Sequence, residues 1–134
     1  MSYPSGRVTP MTATDVIATF WKTVSARDWT AFGALLAADV VYELPQTRER
    51  VRGRDAYVRF NAEYPGDWDL APLRIVGTGR GGASWIRFAV DGGEDQTGIS
   101  FFELDEAGLI ARIADFWPAP YEPPPGREHL VERY

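Results

Sequence analysis

The sequence contains no cysteine and a single histidine, His129. Without cysteine the chain has no disulfide, no thiolate ligand for a metal ion and no cysteine nucleophile. One histidine also excludes a metal centre built from several imidazoles. We therefore expect neither a metal site nor a cofactor.

Long apolar runs and clusters of basic residues are missing as well. No run approaches the roughly 20 apolar residues that a membrane span needs, and residues 1–10 lack the apolar core of a signal peptide. The net charge of −5 comes from 14 basic and 19 acidic side chains, with both signs mixed along the chain. A nucleic-acid-binding surface needs clustered positive charge. These absences predict a cytoplasmic protein that binds neither membranes nor nucleic acids.

Aromatic side chains are abundant by comparison. Five Trp, six Tyr and seven Phe form 13% of the 134 residues, and many of them lie in periodic segments. Large rings fill protein cores, but they also line cavities for flat apolar ligands. Core filling is the default interpretation for any one of them, and the cavity wall is the alternative.

The N-terminal half predicts three helices and a strand. Apolar side chains recur at three- and four-residue steps from Val16 to Val24, which indicates a helix capped by Thr12 or Thr14. The elements that follow are a short helix over 29–36, a strand over 40–44 that stops at Pro45, and a helix over 54–64.

The C-terminal half predicts an antiparallel meander. Runs rich in β-branched and aromatic residues are separated by turns rich in Asp and Gly, a pattern typical of hairpins. The predicted strands are 70–78, 84–90, 96–104 and 109–117. With a loose leader over 1–11 and a proline-rich arm over 119–134, the chain 1–134 is predicted to form one domain.

This order of elements predicts an α+β fold. Helices that are segregated from a meander cover one face of its sheet. We expect a strongly curved, mixed but mostly antiparallel sheet wrapped around three helices. Such a sheet encloses a cone, and ligands usually bind at its mouth.

Three segments carry a resemblance to a known family: SARDWTAFGALLAADVVYELP, VRGRDAYVRF and FFELDEAGLIARIADFWP. In this order they resemble the SnoaL-like and ketosteroid-isomerase-like families of the nuclear-transport-factor-2 fold, over roughly residues 12–118. The resemblance implies a cone-shaped fold. Similar proteins include polyketide cyclases, steroid isomerases, epoxide hydrolases and dehydratases, so the fold alone does not decide the function.

Asp115 is the leading candidate for a catalytic residue. Alternate side chains of a strand face the same side, so Ile113, Asp115 and Trp117 form one set. If this set is concave, Asp115 lies in an apolar pocket, where a carboxyl can act as a general acid or base. Otherwise Asp115 lies on the outer face or satisfies a buried polar group. The resemblance favours the pocket, because SnoaL-like cyclases and limonene-type epoxide hydrolases carry an acidic residue late in this strand.

Two mechanisms of similar proteins are not expected here. A steroid isomerase of this fold needs a base, a tyrosine and a second acid where this chain has Leu44, Phe20 and Ser100. The epoxide hydrolases need an Arg-x-Asp pair, but the candidate strand has Arg87 without the aspartate.

The other candidate residues follow from strand alternation and from the helix faces. Tyr42 and Ser100 are predicted to polarise a ligand oxygen beside Asp115, with a core position as the alternative for Tyr42. Arg87 either pairs with Asp115 inside the cone or is a charge on the outer surface. His129 is either a solvated surface residue or a lid contact or acid–base group. The predicted ligand contacts are Phe20, Leu44, Tyr57, Phe60, Trp85, Arg87, Phe102, Ile113 and Trp117.

The opposite strand face carries apolar side chains too: Ile99, Phe101, Ala114 and Phe116. Such a face usually marks an interface, and we expect a homodimer through the convex side of the sheet.

The sequence as a whole predicts a pocket protein that binds a hydrophobic cyclic metabolite. If it is an enzyme, we expect a cofactor-free isomerase, cyclase or dehydratase with Asp115 as the acid or base. The alternatives are a non-catalytic ligand-binding module and an interaction protein whose cone is filled by its own side chains.

Overall fold

A computed structural model of the protein describes residues 11–134. The first ten residues of the predicted leader lie outside this range. Within it, the helices are α1 (Ala13–Ala26), α2 (Trp29–Ala34) and α3 (Arg54–Ala62), with a short 3-10 helix over Glu128–Leu130. The strands are β1 (Leu36–Leu44), β2 (Glu49–Arg52), β3 (Trp68–Thr78), β4 (Gly81–Val90), β5 (Gln96–Leu104) and β6 (Ile110–Phe116).

Helix α1 begins at a reciprocal cap. The Thr12 hydroxyl accepts a hydrogen bond from the Asp15 backbone N–H, and the Asp15 carboxylate accepts one from the Thr12 backbone N–H, both at 3.1 Å. This capping box satisfies two donors of the first turn, and it identifies Thr12 as the cap between the two predicted candidates. The helix ends at Arg27, whose φ of 56° is left-handed. Its apolar stripe includes Ile17 and Phe20, whose side chains are fully buried.

The strands form one sheet in the order β2-β1-β6-β5-β4-β3. The pair β1–β6 is parallel and every other neighbouring pair is antiparallel. The curved, mixed but mostly antiparallel sheet and the three helices confirm the predicted α+β fold. The parallel pair brings β1 beside the last strand, which places residues of the first half of the chain next to Asp115.

Two elements differ from the prediction. Strand β2 was not predicted because it is short and largely charged; it pairs with β1 at the sheet edge, from Val41↔Arg52 to Leu44↔Glu49. Charged side chains on an edge strand discourage pairing with other chains. Strand β1 begins at Leu36, which the sequence placed in the second helix. Leu36 pairs with Ile110 and is fully buried. A buried position favours an apolar residue in a helix and in a strand alike, so the residue type did not distinguish the two.

The core lies between the concave face of the sheet and the helices, mainly α1. Its fully buried side chains are Ile17, Phe20, Phe32, Leu36, Val40, Ile86 and Ile110. None of the helices formed by residues 11–134 has the length and apolar character required to cross a bilayer. The arm after β6 is largely exposed, and it is extended except at the 3-10 turn.

Candidate functional site

A cavity of about 270 Å³ lies between the concave face of the sheet and helices α1 and α3. Its aromatic lining residues are Trp21, Tyr42, Tyr57, Phe60, Tyr64, Trp68, Phe88 and Trp117. The remaining lining residues are Val24, Leu44, Thr47, Asn61, Leu70, Ile86, Gln96 and Asp115. Within residues 11–134, Asp115 is the one charged side chain on this wall.

Asp115 is held by two hydroxyl groups from the neighbouring strands. On β5, Ser100 lies directly opposite Asp115 and donates a hydrogen bond from Oγ to Oδ1 at 2.5 Å. On β1, Tyr42 donates from its hydroxyl to Oδ2, also at 2.5 Å. Asp115 is only 7% exposed and lines the cavity, so this network lies on the concave side, which is one of the two faces that strand alternation allowed.

Burial raises the pKa of the Asp115 carboxyl, and the hydrogen bonds from Ser100 and Tyr42 oppose that rise. Burial also raises the pKa of the Tyr42 hydroxyl, and the negative charge of Asp115 adds to the effect. The pKa of Tyr57 is raised for the same two reasons. Both phenols therefore stay protonated at physiological pH. Asp115 is the group of this network that ionises at a lower pH than the phenols.

A second polar contact extends the row of polar groups across the concave face. Trp21 donates from its indole N–H to Ser84 Oγ at 2.9 Å, and Ser84 is the cross-strand partner of Ser100. Ser84, Ser100 and Asp115 thus stand side by side on β4, β5 and β6. Ser84 was not among the predicted site residues. It alternates in phase with the apolar Ile86 and Phe88, but the opposite face of β4 carries Trp85, so alternation alone does not identify the concave face.

Aromatic pairs form the two walls of the cavity. On the helix side, the ring of Tyr42 stacks on Tyr57 with centroids 4.6 Å apart and contacts Phe60 at 5.2 Å. On the sheet side, Phe88 meets the edge of Trp117 at 5.3 Å. Trp117 fits here because Gly98 lies beneath it: a Cβ at Gly98 would come within 2.9 Å of the indole ring.

The structure brings six of the predicted site residues to the cavity wall: Tyr42, Leu44, Tyr57, Phe60, Asp115 and Trp117. Ser100 is buried behind Asp115 and belongs to the site through its hydrogen bond. Since Tyr42 and Ser100 direct their single hydroxyl protons at Asp115, they support that carboxylate, which differs from the predicted contact with a ligand oxygen.

Three predicted ligand contacts are core residues instead. Phe20, Phe102 and Ile113 are at most 2% exposed and do not line the cavity. Phe20 meets Phe102 edge to face at 5.1 Å, which closes this end of the cone. Phe102 shares the concave face with Asp115, but Phe20 of α1 packs directly on it.

Trp85 and Arg87, which were predicted as ligand contacts, do not line the cavity; for Arg87 this agrees with the interpretation as a charge on the outer surface. Ser84, Ile86 and Phe88 occupy the concave side of β4, so the alternate residues Trp85 and Arg87 face outward. Trp85 is 47% exposed. Arg87 forms ion pairs with Asp69 at 2.7 Å and Asp95 at 3.3 Å, and these outer partners replace the pairing with Asp115 that was one of its two interpretations.

His129 lies in the exposed 3-10 turn, which agrees with the solvated interpretation. Several lining residues were not predicted: Trp21, Val24, Thr47, Asn61, Tyr64, Trp68, Leu70, Ile86, Phe88 and Gln96. Most of them carry no signal beyond apolar periodicity, which core residues share. No three His, Asp or Glu side chains among residues 11–134 are grouped so as to hold a metal ion.

Comparisons with known proteins identify the family and the fold. The SnoaL-like domain family matches residues 17–113. A protein of Kribbella flavida described as a "putative ketosteroid isomerase" shares 48% identity, with 91% of this chain and 89% of that chain covered and a TM-score of 0.87. None of the curated proteins matches the chain.

Two further solved structures share the fold at lower identity. An NTF-2-like protein of unknown function from Burkholderia xenovorans is 21% identical, with 91% of this chain and 94% of that chain covered and a TM-score of 0.77. A protein of Mycobacterium tuberculosis in complex with estradiol-17β-hemisuccinate is 20% identical, with 81% and 95% covered and a TM-score of 0.65.

Proposed function

The chain belongs to the SnoaL-like family, and on that premise we propose that it binds a hydrophobic cyclic metabolite in the cavity beside Asp115. We further propose that Asp115 acts on this ligand as a general acid or base without a cofactor. The observation that carries the proposal is a carboxyl group, 7% exposed, on the wall of an otherwise uncharged cavity rich in aromatic rings. A raised carboxyl pKa in such a place is typical of acid–base catalysts.

The chemistry that fits is proton transfer next to a polarised group, as in an isomerase, cyclase or dehydratase. Asp115 Oδ1 and Oδ2 each accept one hydrogen bond from a hydroxyl group, and each carboxylate oxygen has a second lone pair that can accept a proton from a ligand. A ligand oxygen would need its own donor, and the Tyr57 hydroxyl and the Gln96 amide line the same cavity. The steroid-isomerase route is not proposed, because Leu44 and Phe20 occupy the positions of its base and its tyrosine.

The names of similar proteins support the ligand class. A relative with 48% identity is described as a "putative ketosteroid isomerase", and a structure with the same fold was solved with a steroid ester. Both names concern multi-ring, mainly apolar molecules. An aromatic cavity of about 270 Å³ suits a flat cyclic ligand.

Exchange of α-protons tests the catalytic part without knowledge of the natural substrate. The enolisable bicyclic ketone 2-tetralone is incubated with the protein in D₂O, and the loss of its α-proton signals is followed by NMR. We expect the wild type to accelerate exchange and Asp115→Asn to lower the enzymatic rate by about 10²–10⁴-fold, the usual contribution of a general base. The matched control is Asp39→Asn, which neutralises an exposed carboxylate on β1. Equal rates in Asp115→Asn and the wild type would refute the catalytic role.

A non-catalytic binding module is the second candidate function. It is favoured by the contacts of Tyr42 and Ser100, because both hydroxyls nearest to Asp115 are committed to that carboxylate. In this case apolar ligands bind to the wild type and to Asp115→Asn alike, and no variant accelerates proton exchange.

We also propose that the convex face of the sheet forms a homodimer. Phe101 is 52% exposed, and its ring meets Phe116 edge to face at 6.0 Å, next to the exposed Trp85. Ion pairs of Glu43 with Arg50 and Arg112 lie on the same side of the sheet and would form a polar rim. Analytical ultracentrifugation should show a dimer for the wild type and a monomer for Phe101→Glu; a monomeric wild type would contradict the proposal.

A further inference from the structure

The described wall of the cavity contains one carboxyl group and no basic side chain. Its wall includes Asp115 and, among residues 11–134, no Lys, Arg or His. The ion pairs within residues 11–134 all involve carboxylates other than Asp115, and they lie on the outer surface. Asp115 therefore has two hydrogen-bond donors and no cationic partner. Burying a carboxylate in this way is costly, and a positive charge in the cavity would offset that cost.

The rings around the cavity add to its attraction for cations. An aromatic ring carries negative potential on its faces, and an organic cation over such a face is stabilised, most strongly where water is excluded. Tyr42, Tyr57 and Phe60 form one aromatic wall, and Phe88 and Trp117 lie on the other. Trp68, which also lines the cavity, already binds a cation of the chain itself: the Arg27 guanidinium lies 3.8 Å from its ring centroid.

We propose that the ligand of this cavity carries an organic cation, a protonated amine or a quaternary ammonium group, which lies among the aromatic faces and is neutralised by Asp115. The inference rests on the proposed function in one respect, that the cavity binds a small molecule. It goes further by assigning a charge to that molecule. A ring system suits the walls, and a cationic nitrogen suits the carboxylate.

Two probes of nearly identical shape separate charge from apolar fit. Benzyltrimethylammonium carries the cation, and in 2,2-dimethylpropylbenzene a carbon atom replaces the nitrogen. Binding is followed at pH 8 by the fluorescence of the cavity tryptophans Trp21, Trp68 and Trp117. We expect the wild type to bind the cation at least about tenfold more tightly than the neutral probe. We expect Asp39→Asn to retain this preference and Asp115→Asn to lose it.

The pH dependence in the wild type gives a second readout that needs no variant at Asp115. The groups that face this carboxyl are Tyr42 from β1, Ser100 from β5 and Tyr57 from α3, and all three hydroxyls stay neutral between pH 4 and pH 8. The preference for the cation should therefore increase as the pH rises through the midpoint at which Asp115 ionises, whereas the affinity of the neutral probe should not rise.

Each outcome of this comparison decides a point. Equal affinities for the two probes, or a preference that persists in Asp115→Asn, would overturn the inference and leave the binding function in place. A preference that does not change as Asp115 ionises would also overturn it. If neither probe binds to the wild type, the inference fails together with the proposed binding function.

Discussion

Removing the Tyr42 hydroxyl tests the hydrogen-bonded carboxyl on which the site depends. The substitution Tyr42→Phe keeps the ring that stacks 4.6 Å from Tyr57 and deletes the donor 2.5 Å from Asp115 Oδ2. Hydrogen bonds to a charged group contribute about 1.5–3 kcal/mol to stability, and those between neutral groups about 0.5–1.5 kcal/mol. We expect Tyr42→Phe to lower the free energy of unfolding at pH 8 by about 1.5–3 kcal/mol.

A double-mutant cycle separates this hydrogen bond from general packing. In an Asp115→Asn background the partner of Tyr42 is neutral, so the same change should cost only about 0.5–1.5 kcal/mol. Urea denaturation of the four proteins gives the free energies. The control is Tyr64→Phe, because Tyr64 is 45% exposed and its hydroxyl has no hydrogen-bond partner among residues 11–134; we expect a change within about 0.5 kcal/mol. Equal losses in both backgrounds would refute the contact between Tyr42 and Asp115.

Three further predictions concern the same molecule. Burial raises the pKa of Asp115 in the folded state above its unfolded value, so the folded state binds more protons and its stability falls as the pH rises from the unfolded to the folded pKa. The difference in free energy of unfolding between the wild type and Asp115→Asn, measured in urea, should follow this fall with a slope of at most about 1.4 kcal/mol per pH unit. A difference that does not change with pH would contradict the prediction. Gly98→Ala places a methyl group 2.9 Å from Trp117, so we expect a loss of about 1–3 kcal/mol and weaker binding of cavity ligands, whereas unchanged binding would show that the indole does not shape the cavity. Thr12→Ala removes the cap of α1 and should cost about 0.5–2 kcal/mol in urea denaturation without altering ligand affinity; a loss of affinity would mean that the cap also shapes the cavity.

The fold and the orientation of Asp115 could be predicted because both depend on periodicity. Helix stripes and β-turn residues mark the elements locally, and the alternation of Ile113, Asp115 and Trp117 leaves only two possible faces. The face was then chosen from a resemblance to a family, and the structure places Asp115 on the concave side. Once one residue of a strand is assigned to a face, alternation predicts the faces of the other residues of that strand.

Strand β4 shows where such reasoning fails. Both of its faces contain a large apolar side chain, Trp85 on one and Phe88 on the other, so composition does not reveal which faces the helices. The register with β5 decides it, because Ser84 lies opposite Ser100 and Ile86 lies opposite Gly98. Pairing between strands is a long-range property, and no local pattern in the chain encodes it.

The sequence also does not show which residues of the concave face are covered by a helix and which reach the cavity. Phe102 and Asp115 face the same way, but Phe102 is covered by α1 and Asp115 reaches the cavity. The difference depends on where a helix crosses the sheet. The hydrogen bonds of Tyr42 and Ser100 to Asp115 depend on the parallel β1–β6 pair and the β5 register, which join segments far apart in the chain.

The proposed catalysis and the proposed cation binding both require a buried, ionisable carboxyl at Asp115, whose titration can be observed directly. Carbon-13 NMR of the aspartate side-chain carboxyls follows each group with pH, and the Asp115 signal is the one that Asp115→Asn removes. We predict a midpoint above the value of about 3.9 found for aspartate in unstructured peptides, because burial disfavours the charged form. A midpoint at or below that value would contradict the account.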